Sequence, residues 1–510
     1  MALRSKVCVK LFCTAEAQLR GKQLINRPCM ERLVMRSVVS FVGYHDGNRC
    51  GYCKSSEAIR ASVGIWAYQL NFSDYNGLLD RGMRRSGKYV YKPIIERTCC
   101  PQYSIRCVSK IKFDLYEDYE LDTGVALLQN HFRLDVEKFY LSKSQKKVLR
   151  QMNEFLMFDK RPKLVVEEAA LRSEKVPVMW NKEVSLDKLM AGKEGNELPS
   201  SSKRNLVHGS GDLISSPNAR RCGLKKKFLR REKAFERMRK KGIDVEEAKV
   251  EGARRKTVES YISQYDSRTA VHKLEINLLP LGSDSYRATE NESYRLFKKY
   301  QETVHNDYES SKEGYDQFVG CTPLEQCDGL FGTYHQHYRV DGKLIAVGVI
   351  DILPRCLSSK YFYYDPDYSF LSMGTYSALR EIAYTRELSK KVPELHYYYM
   401  GYYIESCPKM RYKSRFRPSD LLCDTSFTWV PFEECRDELR KHERVLAFAK
   451  NVPPPTPIPL GSVLCMYKRT VMTYSQLLKR PGFIETCDYM EEYAKLLGPL
   501  AQEIILLRTF

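Results

Sequence analysis

The chain reads as an α+β protein: a cysteine-bearing, turn-rich N-terminal domain, then a domain in which helices pack on a central sheet. Three observations predict this. Strand-like and helix-like periods interleave between 272 and 432. Cys50, Cys53, Cys99 and Cys100 bracket a segment dense in turn dipeptides: Asn76-Gly77, Arg81-Gly82 and Ser86-Gly87. From about 160 to 270 the apolar periodicity fades, and Ser, Gly, Asn and Lys dominate 191–220. Such composition buries too little surface to offset its ordering entropy, so this region reads as a largely disordered linker or insertion.

Residues 143–158 spell an amphipathic helix, with Val148, Leu149, Met152, Phe155 and Leu156 at helical spacing and basic residues opposite. Lys273-Leu274-Glu275-Ile276-Asn277-Leu278 alternates as a half-buried strand. Tyr294, Phe297, Tyr300, Gln301 and Val304 mark one helix face. Residues 344–350 form a continuous apolar run, as a strand covered on both faces does. Residues 361–364 predict a second strand, 375–389 a helix and 395–404 a tyrosine-rich third strand; helices among strands place this region in an α/β or α+β class. A proline-rich connector, 453–459, precedes a tail with a helix expected around 489–507. The predicted organisation is an N-terminal extension (1–40), the cysteine-rich domain (41–158), the basic linker (159–270), the sheet domain (271–448) and the tail (449–510). The extension is rich in Arg and Lys; it reads as a targeting segment or as an optional piece ahead of a second start at Met35.

With 83 basic and 63 acidic residues, the net charge of +20 points to a polyanionic partner, nucleic acid before membrane. No run of eighteen uncharged apolar residues exists, so a membrane span is not expected. Seventeen cysteines in a chain of this length suit metal or redox work, and a cytosolic or nuclear protein, better than a disulfide scaffold. Residues 221–241 carry eleven basic residues against two Glu. Lys225, Lys226, Lys227, Arg230 and Arg231 read as contacts for nucleic-acid phosphates, as an import signal, or as a solvated charge run.

Cys50-Gly-Tyr-Cys53 has the spacing that lets one turn grip a metal, and Cys99-Cys100 can complete a four-sulfur shell. Thiolates suit Zn²⁺ or an iron–sulfur cluster. Adjacent cysteines are unusual ligands because neighbouring side chains diverge. Between the pairs, Arg84, Arg85 and Lys88 lie among glycines and tyrosines, a composition that can hold a carboxylate or phosphate.

Cys50-Gly-Tyr-Cys53, Gly64-Ile-Trp66-Ala67, Arg85-Ser-Gly-Lys-Tyr89-Val-Tyr91-Lys-Pro93 and Thr98-Cys99-Cys100-Pro101-Gln-Tyr103 resemble the amino-terminal domain of eukaryotic arginyl-tRNA–protein transferases. Gly332-Thr-Tyr-His335-Gln336, 344–354, Tyr363-Tyr364-Asp365-Pro366-Asp367, Tyr376-Ser-Ala-Leu-Arg-Glu-Ile382, Ser406-Cys-Pro-Lys-Met410 and Arg417-Pro-Ser-Asp-Leu-Leu422 resemble the family's carboxy-terminal domain. The resemblance covers roughly 41–107, 143–158 and 272–432; the departures are the extension, an insertion at 109–140 and the linker. It implies a catalytic domain related to the GNAT acyltransferases. It also implies arginyl-tRNA as donor, proteins with N-terminal Asp or Glu as acceptors, and entry of the products into ubiquitin-dependent degradation. A coenzyme-A enzyme needs a glycine-rich turn for the pyrophosphate. Leu371-Ser-Met-Gly374-Thr-Tyr offers one glycine, so acetyl-CoA is not expected.

An α-amine attacking an aminoacyl ester needs positioning, one proton transfer and oxyanion support, without a covalent intermediate. Asp351 ends an apolar strand, where an unpaired charge is costly; it reads either as receiving the attacking ammonium or as a strand-end salt bridge. His335 and Gln336 sit in the family motif and read as hydrogen-bonding or proton-relay groups, or as packed core. For the acceptor's acidic side chain two cationic clusters compete: Arg84, Arg85 and Lys88, or Lys409, Arg411, Lys413, Arg415 and Arg417. Either can equally grip the tRNA acceptor stem. A monomer is expected. The rival classes are a non-catalytic RNA-binding protein with a cysteine–metal module and a protein acetyltransferase.

Overall fold

The computed structural model describes residues 36–53, 59–108, 139, 141–161, 233, 235–240, 242, 257–325, 329–483 and 489–507. The chain divides into two compact units, Met1–Pro162 with Arg255–Phe510, and Lys163–Arg254. In the second unit, residues 235–240 are helical. Residues 225–231, 191–220, 1–35 and nearly all of 109–140 lie outside the described residues, and the readings made for them lie there too.

The first unit is built on two sheets. In chain order its elements begin β1 (Val38–Arg49), β2 (Ile59–Gln69), α1 (Phe72–Asp80), β3 (Arg84–Ser86), β4 (Tyr89–Pro93), β5 (Tyr103–Val108) and α2 (Lys143–Phe158). They continue with α3 (Val258–Ile262), β6 (Leu274–Pro280), α4 (Asp284–Tyr300), α5 (Lys312–Phe318), β7 (Gly332–Val340), β8 (Lys343–Ile352), β9 (Cys356–Tyr364) and α6 (Met373–Leu388). The last are β10 (Tyr397–Tyr403), α7 (Pro408–Arg411), β11 (Ser419–Leu422), β12 (Trp429–Pro431), α8 (Phe432–Lys441), β13 (Leu464–Tyr467), β14 (Thr470–Thr473), α9 (Tyr474–Leu478), α10 (Met490–Leu497) and β15 (Ile505–Leu507).

The eight-stranded sheet has the order β12-β11-β5-β10-β9-β8-β7-β6, and the seven-stranded sheet β14-β13-β15-β1-β2-β4-β3. Both orders cross the boundaries expected from sequence. β5, from the cysteine-bearing region, lies between β10 and β11 in antiparallel register. The tail supplies β13, β14 and β15, with β15 parallel to β1. The reason lies in the backbone: β5 is largely buried, so the N–H and C=O groups on both its edges need ladder partners, which β10 and β11 supply from far along the chain.

Helix α2 matches its sequence period. Ser142 caps it in a capping box with Gln145, Asp159 ends it in a left-handed turn, and Val148, Leu149, Met152, Phe155 and Leu156 are buried. Each fully buried apolar side chain of this kind contributes roughly 2 kcal/mol. These residues join α6 and one face of β7–β10 in a single core. The other face carries Val347, Val349 and Tyr363 against Phe297 of α4 and Tyr315 of α5. The central strands are thus covered twice, as the apolar run at 344–350 predicts.

Arg85 of β3 joins the two sheets. Its Nε donates to Asp351 Oδ2 at 2.9 Å, and its Nη2 to Asp351 Oδ1 at 2.5 Å and to Thr333 Oγ1 at 2.9 Å. Its Nη1 donates to the carbonyls of Gly87 and Cys321 at 2.9 and 3.3 Å, and Thr333 Oγ1 donates to Asp351 Oδ1 at 2.8 Å. Both charged side chains have no exposed surface. Gly87, at φ +58, permits this approach, since a Cβ there would stand 2.0 Å from the Gln317 carbonyl oxygen. A buried pair broken on one side leaves a bare charge inside, which costs about 3–5 kcal/mol. Asp351→Asn should therefore lower the denaturant-measured stability by about 3 kcal/mol. Replacing both residues, Arg85→Met with Asp351→Leu, should recover most of that loss. An Asp351→Asn protein as stable as the wild type would refute the clamp.

Candidate acceptor pocket and cysteine centre

Strand pairing fixes which residues meet. Arg84 lies opposite Tyr91, and Tyr91 opposite Gly64, so Arg60, Tyr91 and Arg84 share one face of the seven-stranded sheet. Val63, Ile65, Val90 and Arg85 take the other, inner face. From the eight-stranded sheet, β10 contributes Tyr399 and Tyr402. Gly401 at φ +75 and a register shift between Tyr399 and Tyr402 break the alternation, so both rings meet Arg84. The Arg84 guanidinium stands 5.4 and 5.6 Å from their ring centres, and Arg60 stands 5.5 Å from the Tyr91 ring.

Arg84 is 7% exposed. Its Nη1 reaches the carbonyls of Met83 and Leu79 at 2.8 and 3.4 Å, while Nε and Nη2 are buried with no partner. Lys413 enters the same space and donates from Nζ to the Tyr402 carbonyl at 2.7 Å. Burial, and then the Arg84 charge beside it, press the Lys413 ammonium down to about 7. Among the described residues no carboxylate pairs with either cation. Two like charges enclosed together are costly unless an anion joins them. The arrangement could hold an anion between tyrosine rings.

The sequence could not rank the two cationic clusters, and the geometry divides both. Arg84 faces the pocket, Arg85 is held by Asp351, and Lys88 lies half-buried at the β3–β4 turn. Lys413 turns inward, whereas Lys409, Arg411, Arg415 and Arg417 are exposed on the segment after β10. Arg417 pairs with Glu433 at 2.7 Å. Arg60 and Tyr402 were missed; the period-two spacing Arg60–Ser62–Gly64 beside a tyrosine-rich strand was the available signal.

His335 is fully buried; one ring nitrogen, Nε2, lies 3.1 Å from the Val319 carbonyl oxygen, and Nδ1 has no partner. Burial lowers its pKa to about 3, and that of His337 to about 4, so both are neutral at physiological pH. They share the face of β7 that packs under α4. Gln336 points to the opposite face, where its Oε1 accepts from the Tyr338 hydroxyl at 2.7 Å. Glu381 of α6 lies on that side, raised by burial to about 7 against the lowering effect of hydrogen bonds from Tyr398 and Ser359. Sequence reading passed over it, although it is an acid on the buried face of a predicted helix.

Cys50, Cys53, Cys99 and Cys100 converge, with one ligand atom from each within 4.8 Å of all the others. Cys53 and Cys99 sulfurs are 3.7 Å apart. Cys50 follows β1, and its sulfur accepts from the Tyr52 amide at 3.4 Å. The Cys99 amide bonds the Ile59 carbonyl at 3.0 Å, which ties the second pair to the turn end of the β1–β2 hairpin. The adjacent cysteines do not diverge because residues 98–102 are irregular rather than extended. Sulfurs on one metal at about 2.3 Å stand roughly 4 Å apart, so the four fit a single centre after a small contraction. Cys407 and Ile404, beyond β10, belong to the same buried cluster as Cys50 and Cys100. The centre therefore lies against the segment that carries Lys413.

Residues 48–113 match the family model for the N terminus of arginine-tRNA-protein transferase, and residues 292–423 the model for its C terminus. Arginyl-tRNA–protein transferase 1 of Drosophila melanogaster is 34% identical over 506 residues, covering 91% of this chain and 97% of the relative. Arginyl-tRNA–protein transferase 2 of Arabidopsis thaliana is 33% identical, covering 79% and 76%. An aspartate/glutamate leucyltransferase of Stutzerimonas stutzeri is 36% identical over 146 residues, 28% of this chain and 56% of that one. With both family models matched in order and relatives above 30% identity across most of its length, the chain belongs to the arginyl-tRNA–protein transferase family.

Proposed function

We propose that the chain transfers arginine from arginyl-tRNA to the α-amino group of proteins that begin with Asp or Glu, marking them for ubiquitin-dependent degradation. Beyond family membership, the observation that carries the acceptor class is the enclosed Arg84–Lys413 pair, which lacks an anion of its own. An N-terminal Asp or Glu brings the α-amine and a carboxylate on one short residue, so gripping the carboxylate fixes where the amine stands. The terminal amine has an ordinary pKa of about 7.7–8.0, so a usable share is already neutral, and the reaction gains most from orientation. As the nitrogen attacks the ester carbonyl, the C–N bond forms, the ribose oxygen leaves and one proton passes from nitrogen toward that oxygen. Lys409, Arg411 and Arg415, exposed on the same segment as Lys413, would meet the acceptor-stem phosphates. A central sheet covered by helices on both faces supports a fold related to the GNAT acyltransferases.

We further assign one zinc ion or one iron–sulfur cluster to Cys50, Cys53, Cys99 and Cys100. Either group, bound as thiolates, cross-links the β1–β2 hairpin to the loop before β5. Purified protein should contain stoichiometric zinc or iron with sulfide, and Cys99→Ser should lose it. Visible absorption separates a cluster from colourless zinc. A wild-type protein free of both would end the assignment.

Arg84→Met should reduce the preference for Asp-starting over Asn-starting peptides by about tenfold or more, the scale of hydrogen bonds to charged groups. Lys413 carries its positive charge below about 7 and loses it above. The same preference, a ratio in which titration of the α-amine cancels, should therefore weaken as pH rises through that value. Lys413→Arg should flatten this pH dependence. Neutralising Lys409, Arg411 and Arg415 together should lower the salt dependence of arginyl-tRNA affinity, by nearly one unit of log–log slope for each phosphate that these cations meet. Peptide preference should stay as it was. Incubation with labelled arginine, tRNA, arginyl-tRNA synthetase and an Asp-starting peptide tests the whole reading; RNA binding without transfer, or transfer only from acetyl-CoA, contradicts it.

A further inference from the structure

Glu381 stands on the face of α6 that packs on the sheet, in the buried series Ser377, Ala378, Glu381, Ile382 and Thr385. Oε2 accepts from the Tyr398 hydroxyl at 2.9 Å, Ser359 stands by as a second hydroxyl that stabilises the carboxylate, and Oε1 is buried with no partner within hydrogen-bond geometry. Below it runs β8 with Gly348. A Cβ at Gly348 would stand 3.3 Å from Glu381 Oε1, 3.6 Å from the Phe362 ring and 3.7 Å from Gln336 Oε1. Two acceptor oxygens, one from α6 and one from β7, thus converge on one point above a residue without a side chain. Gln336 Oε1 takes one hydrogen bond from Tyr338, and nothing donates to Glu381 Oε1. Convergent acceptors repel each other unless a donor stands between them.

The donor that suits this place is planar, cationic and compatible with ring faces. A guanidinium has five N–H donors in one plane and stacks on aromatic surfaces, whereas an ammonium is compact and strongly hydrated. Tyr338, Phe362 and Tyr398 supply the surfaces, and Glu381 and Gln336 the acceptors. We propose that Glu381, with Gln336, recognises the guanidinium of the arginyl group carried by the tRNA. This rests on the arginyl-transfer reading above and names the part of the donor that the protein identifies. In the ligand-free chain Glu381 is only 1% exposed, so entry requires neighbouring side chains to part, and rotamer changes of that kind are common where ligands bind. The carboxyl's upward shift through burial means that a bound cation would also restore its ionised form.

The test compares two ester-free mimics of the charged tRNA end, 3′-amino-3′-deoxyadenosine acylated with arginine or with leucine, binding to the full-length protein. Wild type should prefer the arginyl mimic, and Glu381→Gln should reduce that preference by ~30-fold or more while leucyl affinity stays near wild type. Gly348→Ala provides a second route, since its methyl group crowds the point where the two oxygens meet; it should also cut the preference while the Glu381 carboxylate remains. If Glu381→Gln does not fold, Gly348→Ala decides. Proteins that fold and keep the wild-type preference would overturn the role of Glu381 and leave arginyl transfer intact. A wild-type protein that moves no arginine from arginyl-tRNA to an Asp-starting peptide would instead remove the functional reading and this inference together.

Discussion

The rest of the unit depends on the way Arg85 is held. It reaches from the edge of one sheet to Asp351 near the end of a central strand of the other, with Thr333 closing the third side. A buried ion pair is weak evidence of net stability, because desolvation consumes most of the Coulomb gain. Its value here is positional. Arginine's fork accepts only a narrow range of carboxylate geometries, so the pair fixes the register between two sheets whose strands come from distant parts of the chain. Successive strand residues point to opposite faces, so fixing Arg85 inward commits Arg84 to the tyrosine-walled side. One residue is the clamp, and its neighbour is the proposed binding group.

The charge arrangement matches the chemistry of the two substrates. The proposed acceptor offers a carboxylate beside its amine, and Arg84 and Lys413 stand together with no carboxylate paired to either among the described residues. The donor offers a guanidinium, and among the described residues the buried carboxylate oxygen without a donor is on Glu381. Each orphaned group would be a defect in a core built only for stability. Their opposite signs, on the separate elements β3 and α6, fit an enzyme that must hold a cationic and an anionic reactant apart in identity and together in space. The histidines under α4 lie on the opposite face of β7 from Gln336, and burial there lowers the pKa of both.

The cysteine centre links to this arrangement through Ile404 and Cys407, which pack on it from the far half of the chain. The same stretch continues to Lys413 in the pocket and to Arg411 and Arg415 on the surface. A group bound by the four thiolates would stiffen the turn end of the hairpin, against which this segment rests. Its influence on the pocket would be exerted through position, since Tyr52 lies between two of the ligands and close to Arg60.

Sequence alone determined what depends on local period and composition. Helix α2, the apolar strand β8, the helix α6, the cysteine pairs and the family motifs were all legible, because each is written within about twenty consecutive residues. Tertiary structure decided what depends on pairing between distant segments. Nothing in residues 103–108 announces that they pair with 397–403 and 419–421, and nothing in the tail announces three strands of the sheet begun by β1. The same holds for charge: Arg84 and Arg85, or Lys413 and Arg415, are alike in sequence. Only the β3–β4 register, the shift at Gly401 and the reach of Asp351 separate a clamp, a pocket cation and a surface charge. A side chain's role follows from what stands opposite it, and the chain's order does not encode that directly.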